Sequence, residues 1–211
     1  MSSDAATRAL GFASIDDGEE LARAELYGLL ARLWLAPPDA ELLEQFQVAV
    51  TEAPEPGGYL EAPWQNLVAA MRATTPEAAA EEYEALFGGV GKPEIFLYGS
   101  FYLSGFLNEK PLAALRADLA RLGLGRDIQR SETEDHIAFI CEVMRWLIAG
   151  DDAAVSNLEQ QRRFFRAHVQ PWTEALCEAV STHPGARLTR ELAGLTRAFV
   201  EVEAQAFDMI E

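Results

Sequence analysis

The chain has 211 residues and a formal net charge of −17 at pH 7, from 34 acidic and 17 basic residues. This length fits one compact domain, and an apolar fraction of 49% is typical of a globular protein rather than a disordered one. The acidic balance argues against nucleic-acid binding, which needs a basic face, and would suit a basic partner, although acid excess can also serve solubility alone.

Neither a secretory signal nor a membrane span is predicted. The first twenty residues lack an apolar core and carry four acids between positions 16 and 20. The longest uncharged run, residues 95–107, contains glycine and serine and falls short of the roughly 20 residues that span a bilayer. We therefore expect a cytoplasmic protein without stable membrane insertion.

Helical periodicity dominates the first half of the chain, after a tail at residues 1–18 that we expect to be flexible. The first predicted helix covers residues 19–35 and ends before two prolines. Asp39 is the predicted cap of the next helix, whose buried stripe is Leu42, Leu43, Phe46 and Val50. Further helices are predicted at residues 63–73 and, with Thr75 as cap, at residues 76–87.

The second half continues in the same pattern. Asn108 is the predicted cap of a helix at residues 109–122, and Ser131 with Glu134 forms a capping box for one that reaches residue 149. The other predicted helices cover residues 101–107, 152–169, 171–181 and 186–209. Residues 19–211 thus form an all-α, single-domain irregular helical bundle of about nine helices.

The helix predicted from Ser131 holds two candidate functional residues, Asp135 and His136. Its apolar residues fall on two faces, which indicates a central helix. An acid in a first helical turn is favoured by the helix dipole and a lone histidine is often satisfied by a neighbour, so a purely structural role is the alternative. Cys141 and Cys177 have no ligand-like spacing and are expected to be buried thiols, without a disulfide or metal.

A glycine-rich segment dense in aromatic residues follows the helix at residues 76–87. Seven aromatic side chains lie within residues 83–106, and glycines at 88, 89 and 91 leave the backbone adaptable. Such a cluster fits a core or the wall of a ligand site, and both interpretations remain open.

Four features resemble the TorD/DmsD-like redox-enzyme maturation chaperones, a family with a NarJ-like branch. They are the helix end at residues 83–87, the turn at 91–93, the segment 98–102 and the Asp135-His136 pair, and the resemblance spans about residues 21–199. Members are all-helical cytoplasmic proteins, not catalysts. They bind the twin-arginine signal peptide or the apo form of a molybdenum enzyme until cofactor insertion and export.

The resemblance implies a peptide-binding site. Tyr98, Asp135 and His136 would line its groove, and Leu86, Phe87 and Pro93 would shape the hinge beside it. We expect Asp135 to pair with a signal arginine and His136 to hydrogen-bond the peptide backbone or a neighbouring side chain. The family often has proline where this chain has Thr133, which leaves the local backbone less fixed.

Other classes of function fit the sequence less well. With three histidines and no Glu-x-x-His unit, a helical metalloenzyme is not expected, and we expect neither an enzyme nor a bound cofactor. Nucleotide binding has been discussed for the family, but Lys92 is not followed by serine or threonine as in a phosphate loop. The remaining alternative is a helical adaptor that recognises a folded partner.

Several properties stay open at the level of sequence. They are the identity of the client molybdoenzyme, whether its signal peptide or mature apoprotein is the main contact, nucleotide binding, and whether the chain is a monomer or a helix-exchanged dimer.

Overall fold

The computed structural model describes residues 15–48, 57–88, 92–125, 131–150, 152 and 154–209. Ten α-helices, α1 to α10, follow in chain order: Ile15–Leu35, Ala40–Val48, Glu61–Ala73, Pro76–Phe87, Gly99–Ser104, Lys110–Arg121, Ile137–Ala149, Leu158–Phe164, Gln170–Thr182 and Leu188–Met209. A π-helical turn, Phe165–Val169, joins α8 to α9 without a break. Because α8, the π turn and α9 form one continuous helix, the described residues contain nine separate helical segments. The predicted all-α single domain is confirmed.

Local cap signals place several helix starts as predicted. The Leu42 N–H donates to the Asp39 carboxylate at 2.8 Å, and the Ala78 N–H donates to the Thr75 hydroxyl at 3.2 Å. These short-range hydrogen bonds satisfy amides that a helix start leaves without partners. α1 begins at Ile15 and so includes the end of the predicted tail, whereas residues 1–14, like Val50 of the predicted stripe, lie outside the described residues.

Two predicted helix starts are wrong. α7 begins at Ile137 with His136 as its N-cap, so Ser131 and Glu134 form no capping box. The chain just before α7 instead pairs with the segment before α5, through the Asp135 carbonyl and the Ile137 N–H, and the His136 N–H donates locally to the Thr133 carbonyl. Asn108 is not a cap either, because it has a φ of 60° and α6 starts at Lys110 after Glu109.

The second half of the chain also differs in helix limits. α5 ends at Ser104 rather than residue 107, and α8 starts at Leu158, where the Asn157 side chain accepts the Gln160 N–H at 3.0 Å. No break occurs at residue 170, since Pro171 lies in the first turn of α9, where its missing N–H is tolerated.

The core lies between α1 and α7, which pack along each other, with α10 against α1 and α9 against α10. Tyr27, Leu30 and Trp34 of α1 and Met144 and Leu147 of α7 are all buried. This burial confirms the central position predicted for α7. Its N-terminal end therefore stands on the buried core, and this end carries the candidate site.

Both cysteines are buried and free, as predicted. Burial raises the pKa of the Cys141 thiol and raises that of Cys177 to about 12. At neutral pH both thiols therefore stay protonated and unreactive.

Candidate functional site

The N-terminal end of α7 is joined to the segment before α5 by a short antiparallel bridge between Tyr98 and His136. The Gly99 N–H donates to the Asp135 carbonyl at 2.9 Å, and the Ile137 N–H donates to the Leu97 carbonyl at 2.9 Å. We call this pairing the bridge. It brings together three residues that the sequence predicted for one site: Tyr98, Asp135 and His136.

The Asp135 side chain is buried, with 4% of its surface exposed, and both of its oxygens have partners within the chain. One accepts the Ser100 backbone N–H at 2.9 Å, and the other accepts the Thr133 hydroxyl at 2.6 Å. In this arrangement the carboxylate holds the first turn of α5. Direct pairing with an arginine of a ligand would require this pocket to open, and that role stays a prediction.

His136 is equally buried and acts as the N-cap of α7, because its Nδ1 accepts the Ala138 N–H at 3.2 Å. That hydrogen bond needs a lone pair on Nδ1, so the ring is neutral. Burial lowers the pKa of His136 to about 4, against the opposing effect of Glu132 and Asp135. The partner of Nδ1 is thus a backbone amide of α7, and the predicted hydrogen bond of His136 to a peptide backbone or a neighbouring side chain stays a prediction.

Tyr98 is half-buried and lies against His136, with ring centroids 5.1 Å apart in an edge-to-face arrangement. Burial raises its pKa, and Glu132 and Asp135 add to the effect. The phenol is therefore protonated at neutral pH. As the half-exposed member of the three, it is the one that offers a surface to a ligand.

A series of aromatic rings continues from the bridge into the core. Phe96 and Phe101 have centroids 4.2 Å apart, Phe101 and Tyr102 5.3 Å, and Tyr102 stacks on Trp172 at 5.8 Å. Trp172 also lies so close to Gly99 that a Cβ there would stand 3.0 Å from the indole. Part of the aromatic cluster is therefore core, and it fixes α5 against α9.

The other part of the cluster is exposed. Leu103, Phe106 and Leu107 follow one another around the end of α5 and are 43%, 70% and 39% exposed. Gly105 between them has a φ of +81°, which ends α5 and turns the chain. We call these three side chains the apolar corner. Large apolar side chains exposed next to one another are a candidate surface for contact with another molecule.

The position of the apolar corner depends on Ser100. The Ser104 hydroxyl donates to the Ser100 carbonyl at 2.7 Å, and the Asn108 N–H donates to the Ser100 hydroxyl at 3.3 Å. Ser100 is itself held by Asp135 through its backbone N–H. A continuous hydrogen-bonded path therefore runs from the buried carboxylate to both ends of the corner.

The hinge residues lie at the base of this region. Leu86 is buried, and its carbonyl accepts the Ile95 N–H at 3.0 Å, which ties the end of α4 to the segment before the bridge. Phe87 is half-buried and packs on Trp34 and Tyr83, with centroids 6.1 and 5.0 Å away. Pro93 is half-buried, while residues 89–91 lie outside the described part of the chain. Leu86 and Phe87 thus support the hinge from the core side.

Sequence reasoning missed Ser100, Leu103 and Leu107. The partnership of Ser100 with Asp135 bridges 35 residues of chain and has no local signal. A local signal did exist for the two leucines. They lie on either side of Gly105 and Phe106, in a segment too short to bury all of its apolar side chains.

The described residues hold neither a metal cluster nor a membrane-crossing helix. Among them, no group of three or more histidine, cysteine, aspartate or glutamate side chains is arranged to hold a metal ion. None of the helices in those parts of the chain has both the length and the apolar composition to cross a bilayer.

Comparison with known proteins identifies the family. A solved structure of a proposed redox enzyme maturation protein from Archaeoglobus fulgidus matches with a TM-score of 0.55 at 16% identity, over 94% of this chain and 99% of that one. At this identity the likeness establishes the shared fold. No curated protein matches the chain. The model of the nitrate reductase delta subunit family matches residues 55–178, more than half of the sequence and the whole of the bridge and apolar corner, and the chain therefore belongs to that family.

Proposed function

We propose that this protein is a non-catalytic maturation chaperone. It binds the twin-arginine signal peptide, the apo form, or both, of a molybdenum-cofactor oxidoreductase until cofactor insertion and export, and it does so in the cytoplasm. Membership of the delta subunit family supports this proposal, and so does the fold shared with the Archaeoglobus protein.

The observation that carries the proposal is the apolar corner held beside the bridge. A signal peptide couples a basic stretch to an apolar segment. Burying the exposed surface of Leu103 and Phe106 contributes about 25 cal/mol per Å², whereas a surface ion pair contributes only about 0–1 kcal/mol. The corner therefore sets affinity in this proposal, and the acidic surface of the protein raises the rate of capture.

Asp135 and His136 have a positioning role in this proposal. They sit behind the corner, where the carboxylate holds Ser100 and the imidazole caps α7. The half-exposed Tyr98 links them to the surface. Direct pairing of Asp135 with a signal arginine is the competing version, and the two versions predict different behaviour of the same variant.

Isothermal titration calorimetry with a synthetic signal peptide of a molybdoenzyme catalytic subunit from the same genome tests the proposal. The double variant Leu103→Ser, Phe106→Ser should bind at least about tenfold more weakly, because the lost apolar contact amounts to at least about 1.4 kcal/mol. The matched control is Val48→Ser, Met209→Ser, which removes two apolar side chains that are more than three-quarters exposed elsewhere. It should bind as the native chain does.

Equal affinity of the corner variant and the control would contradict the proposed site. Binding to the folded client but not to its peptide would favour the adaptor function instead. Asp135→Asn lowers the unfolding free energy by about 1–2 kcal/mol in either version, because its hydrogen bonds within the chain are weakened. A double-mutant cycle separates the two roles: only direct pairing predicts that replacing the signal arginines of the peptide has a smaller effect on affinity in the variant than in the native chain.

A further inference from the structure

A pocket of about 180 Å³ opens between the C-terminal end of α6 and helix α8. Its apolar walls include Leu122, Val155 and Phe164. The polar side chains of its lining are Asp118, Arg121, Gln160 and Arg163. We call this cavity the α6–α8 pocket.

Asp118, the one acid among the described residues that line the pocket, has partners on both of its oxygens. One oxygen pairs with the guanidinium of Arg121, one turn further along α6. The other lies 2.6 Å from Nε2 of His168. Because a carboxylate only accepts hydrogen bonds, Nε2 carries the proton and donates it. The carboxylate is therefore occupied within the chain.

His168 belongs to the π turn at Phe165–Val169 and stands behind the pocket wall. Its ring is 8% exposed and packs on Phe164, with centroids 5.0 Å apart. Burial lowers the pKa of His168 to about 4, and the charge of Arg121 acts in the same direction. At neutral pH the imidazole is therefore uncharged, and it holds Asp118 without adding a cation to the pocket.

The lining of the pocket carries an excess of positive charge. Arg121 balances Asp118, whereas Arg163 is exposed and forms no ion pair with any residue in the described parts of the chain. A guanidinium has five N–H donors, more than one carboxylate oxygen can use, so Arg121 keeps donors for a ligand as well. In a chain with a net charge of −17, the pocket is a local reversal of sign.

The volume of the pocket limits what it can hold. Sites that enclose whole small-molecule ligands commonly measure about 300–1,000 Å³, so a cavity of about 180 Å³ is suited to one side chain of a larger molecule. Two arginines favour a carboxylate, which a guanidinium can bind through two parallel hydrogen bonds. The apolar walls favour a side chain with methylene groups below that carboxylate.

We propose that the α6–α8 pocket receives a glutamate side chain of a partner protein. The carboxylate pairs with Arg163 and with the remaining N–H groups of Arg121, and the methylene groups contact Leu122 and Phe164. The ligand group is opposite in charge to the arginines of a signal peptide, so this contact goes beyond the proposed function. The pocket is also remote from the apolar corner, because α6 has 12 residues and spans about 18 Å between them.

Nuclear magnetic resonance titration of the full chain with blocked tripeptides tests the proposal. The probes are acetyl-Leu-Glu-Leu-amide and its counterparts with glutamine or lysine in the middle. The glutamate tripeptide should shift the Nε–Hε signals of Arg121 and Arg163 and saturate them with a dissociation constant on the order of 1 mM. The glutamine tripeptide should bind at least about tenfold more weakly, since it lacks the charge.

Arginine variants locate the contact. Arg163→Gln should weaken binding of the glutamate tripeptide at least about fivefold, and Arg163→Glu should abolish it and bind the lysine tripeptide instead. The matched control is Arg187→Gln, which removes an exposed arginine that does not line the pocket. It should bind the glutamate tripeptide as the native chain does.

Three results would overturn the proposal. The first is that the glutamate tripeptide causes no saturable shift or binds no better than the glutamine one. The second is that Arg163→Gln and Arg187→Gln bind alike. The third is that glutarate or inorganic phosphate binds as tightly as the glutamate tripeptide, which would assign the pocket to a free anion. Failure of the signal peptide to bind the apolar corner leaves all three readings unchanged, because that experiment uses a different probe and different variants.

Discussion

His136 combines near-complete burial with a hydrogen bond that only its neutral form can accept. Its Nδ1 takes the Ala138 N–H, and burial lowers its pKa from 6.5 to about 4. In the unfolded chain the same ring has a pKa of about 6.5. The unfolded state therefore binds a proton in the interval between these values that the folded state does not.

This difference predicts how stability depends on pH. The contribution of His136 is fully present above about pH 6.5 and is lost as the pH falls toward about 4, by up to about 3 kcal/mol. Urea unfolding of the native chain and of His136→Asn over this interval measures it. Asparagine can accept the Ala138 N–H but does not titrate, so the native chain should lose stability relative to the variant on acidification. Parallel curves would contradict a neutral, buried ring.

The sequence shows that Asp135 and His136 are neighbours, but not that both are buried. Their burial depends on Tyr98 and Ser100, whose pairing with them is set by the tertiary fold. Propensity and spacing report on contacts within a few residues, so Ser100 was missed, and Tyr98 was placed in the site only through the family resemblance.

At the scale of the helix, the start of α10 is capped by a side chain from α4. The Glu82 carboxylate accepts the backbone N–H groups of Arg187 and Thr189, each at 2.9 Å, and that of Leu188 at 3.2 Å. The Thr189 hydroxyl donates to it as well, at 2.6 Å. A negative charge at a helix start is favoured by the helix dipole, so this cap fastens the last helix to the base of the hinge.

Glu82→Ala should lower the unfolding free energy by about 2 kcal/mol, since three charge-assisted hydrogen bonds to exposed and partly buried amides are lost. Glu81→Ala is the matched control, because Glu81 is the preceding residue of α4 and is exposed. Its effect should stay within about 0.5 kcal/mol. Urea midpoints measure both, and equal midpoints would show that the cap contributes nothing.

The caps explain which helix limits the sequence could predict. Asp39 and Thr75 act within their own turn, and both starts are confirmed. Ser131 and Glu134 match the capping-box pattern, but the bridge takes the backbone around them and moves the start of α7 to Ile137. Glu82 acts across more than a hundred residues and leaves no local pattern.

At the scale of the whole molecule, a buried ion pair joins the first helix to the last. Arg23 binds Glu203 through two hydrogen bonds, and the Tyr27 hydroxyl donates to the same carboxylate at 3.1 Å. Arg23 also donates to Gln161 of α8 at 3.3 Å. Three helices distant in the chain therefore meet at the Arg23 guanidinium, whose partner Glu203 is only 2% exposed.

Glu203→Ala should cost about 3 kcal/mol, because the partly desolvated guanidinium keeps only Glu20 and Gln161 and the Tyr27 hydroxyl loses its acceptor. The triple variant Arg23→Met, Tyr27→Phe, Glu203→Leu should recover most of this loss, since apolar residues can replace a buried pair. Asp208→Ala is the control on the same helix: its pair with Arg166, at 2.6 Å, is exposed and contributes at most about 1 kcal/mol. Thermal unfolding compares the variants, and equal losses for Glu203→Ala and Asp208→Ala would refute the argument.

The all-α class follows from periodicity, which is a property of each helix by itself. The contacts between helices do not follow from the periodicity of single helices. The Arg23–Glu203 pair illustrates this, because its two residues are 180 positions apart in the chain. From the sequence alone, Arg23 is one of many charges on a solvated helix face. Its partner Glu203 becomes evident only when the position of the last helix is known.

The π turn at Phe165–Val169 sets α8 and α9 out of phase. One residue more than an α-helical turn rotates α9 by about 100° relative to α8. With this offset, Phe165 meets Phe207 of α10 at 5.1 Å while Trp172 meets Tyr102 of α5 at 5.8 Å. Deleting a single residue from the turn would leave both helices intact but rotate Trp172 away from Gly99. α5 would then lose its packing against the indole, and the apolar corner at the end of α5 would no longer be held in place.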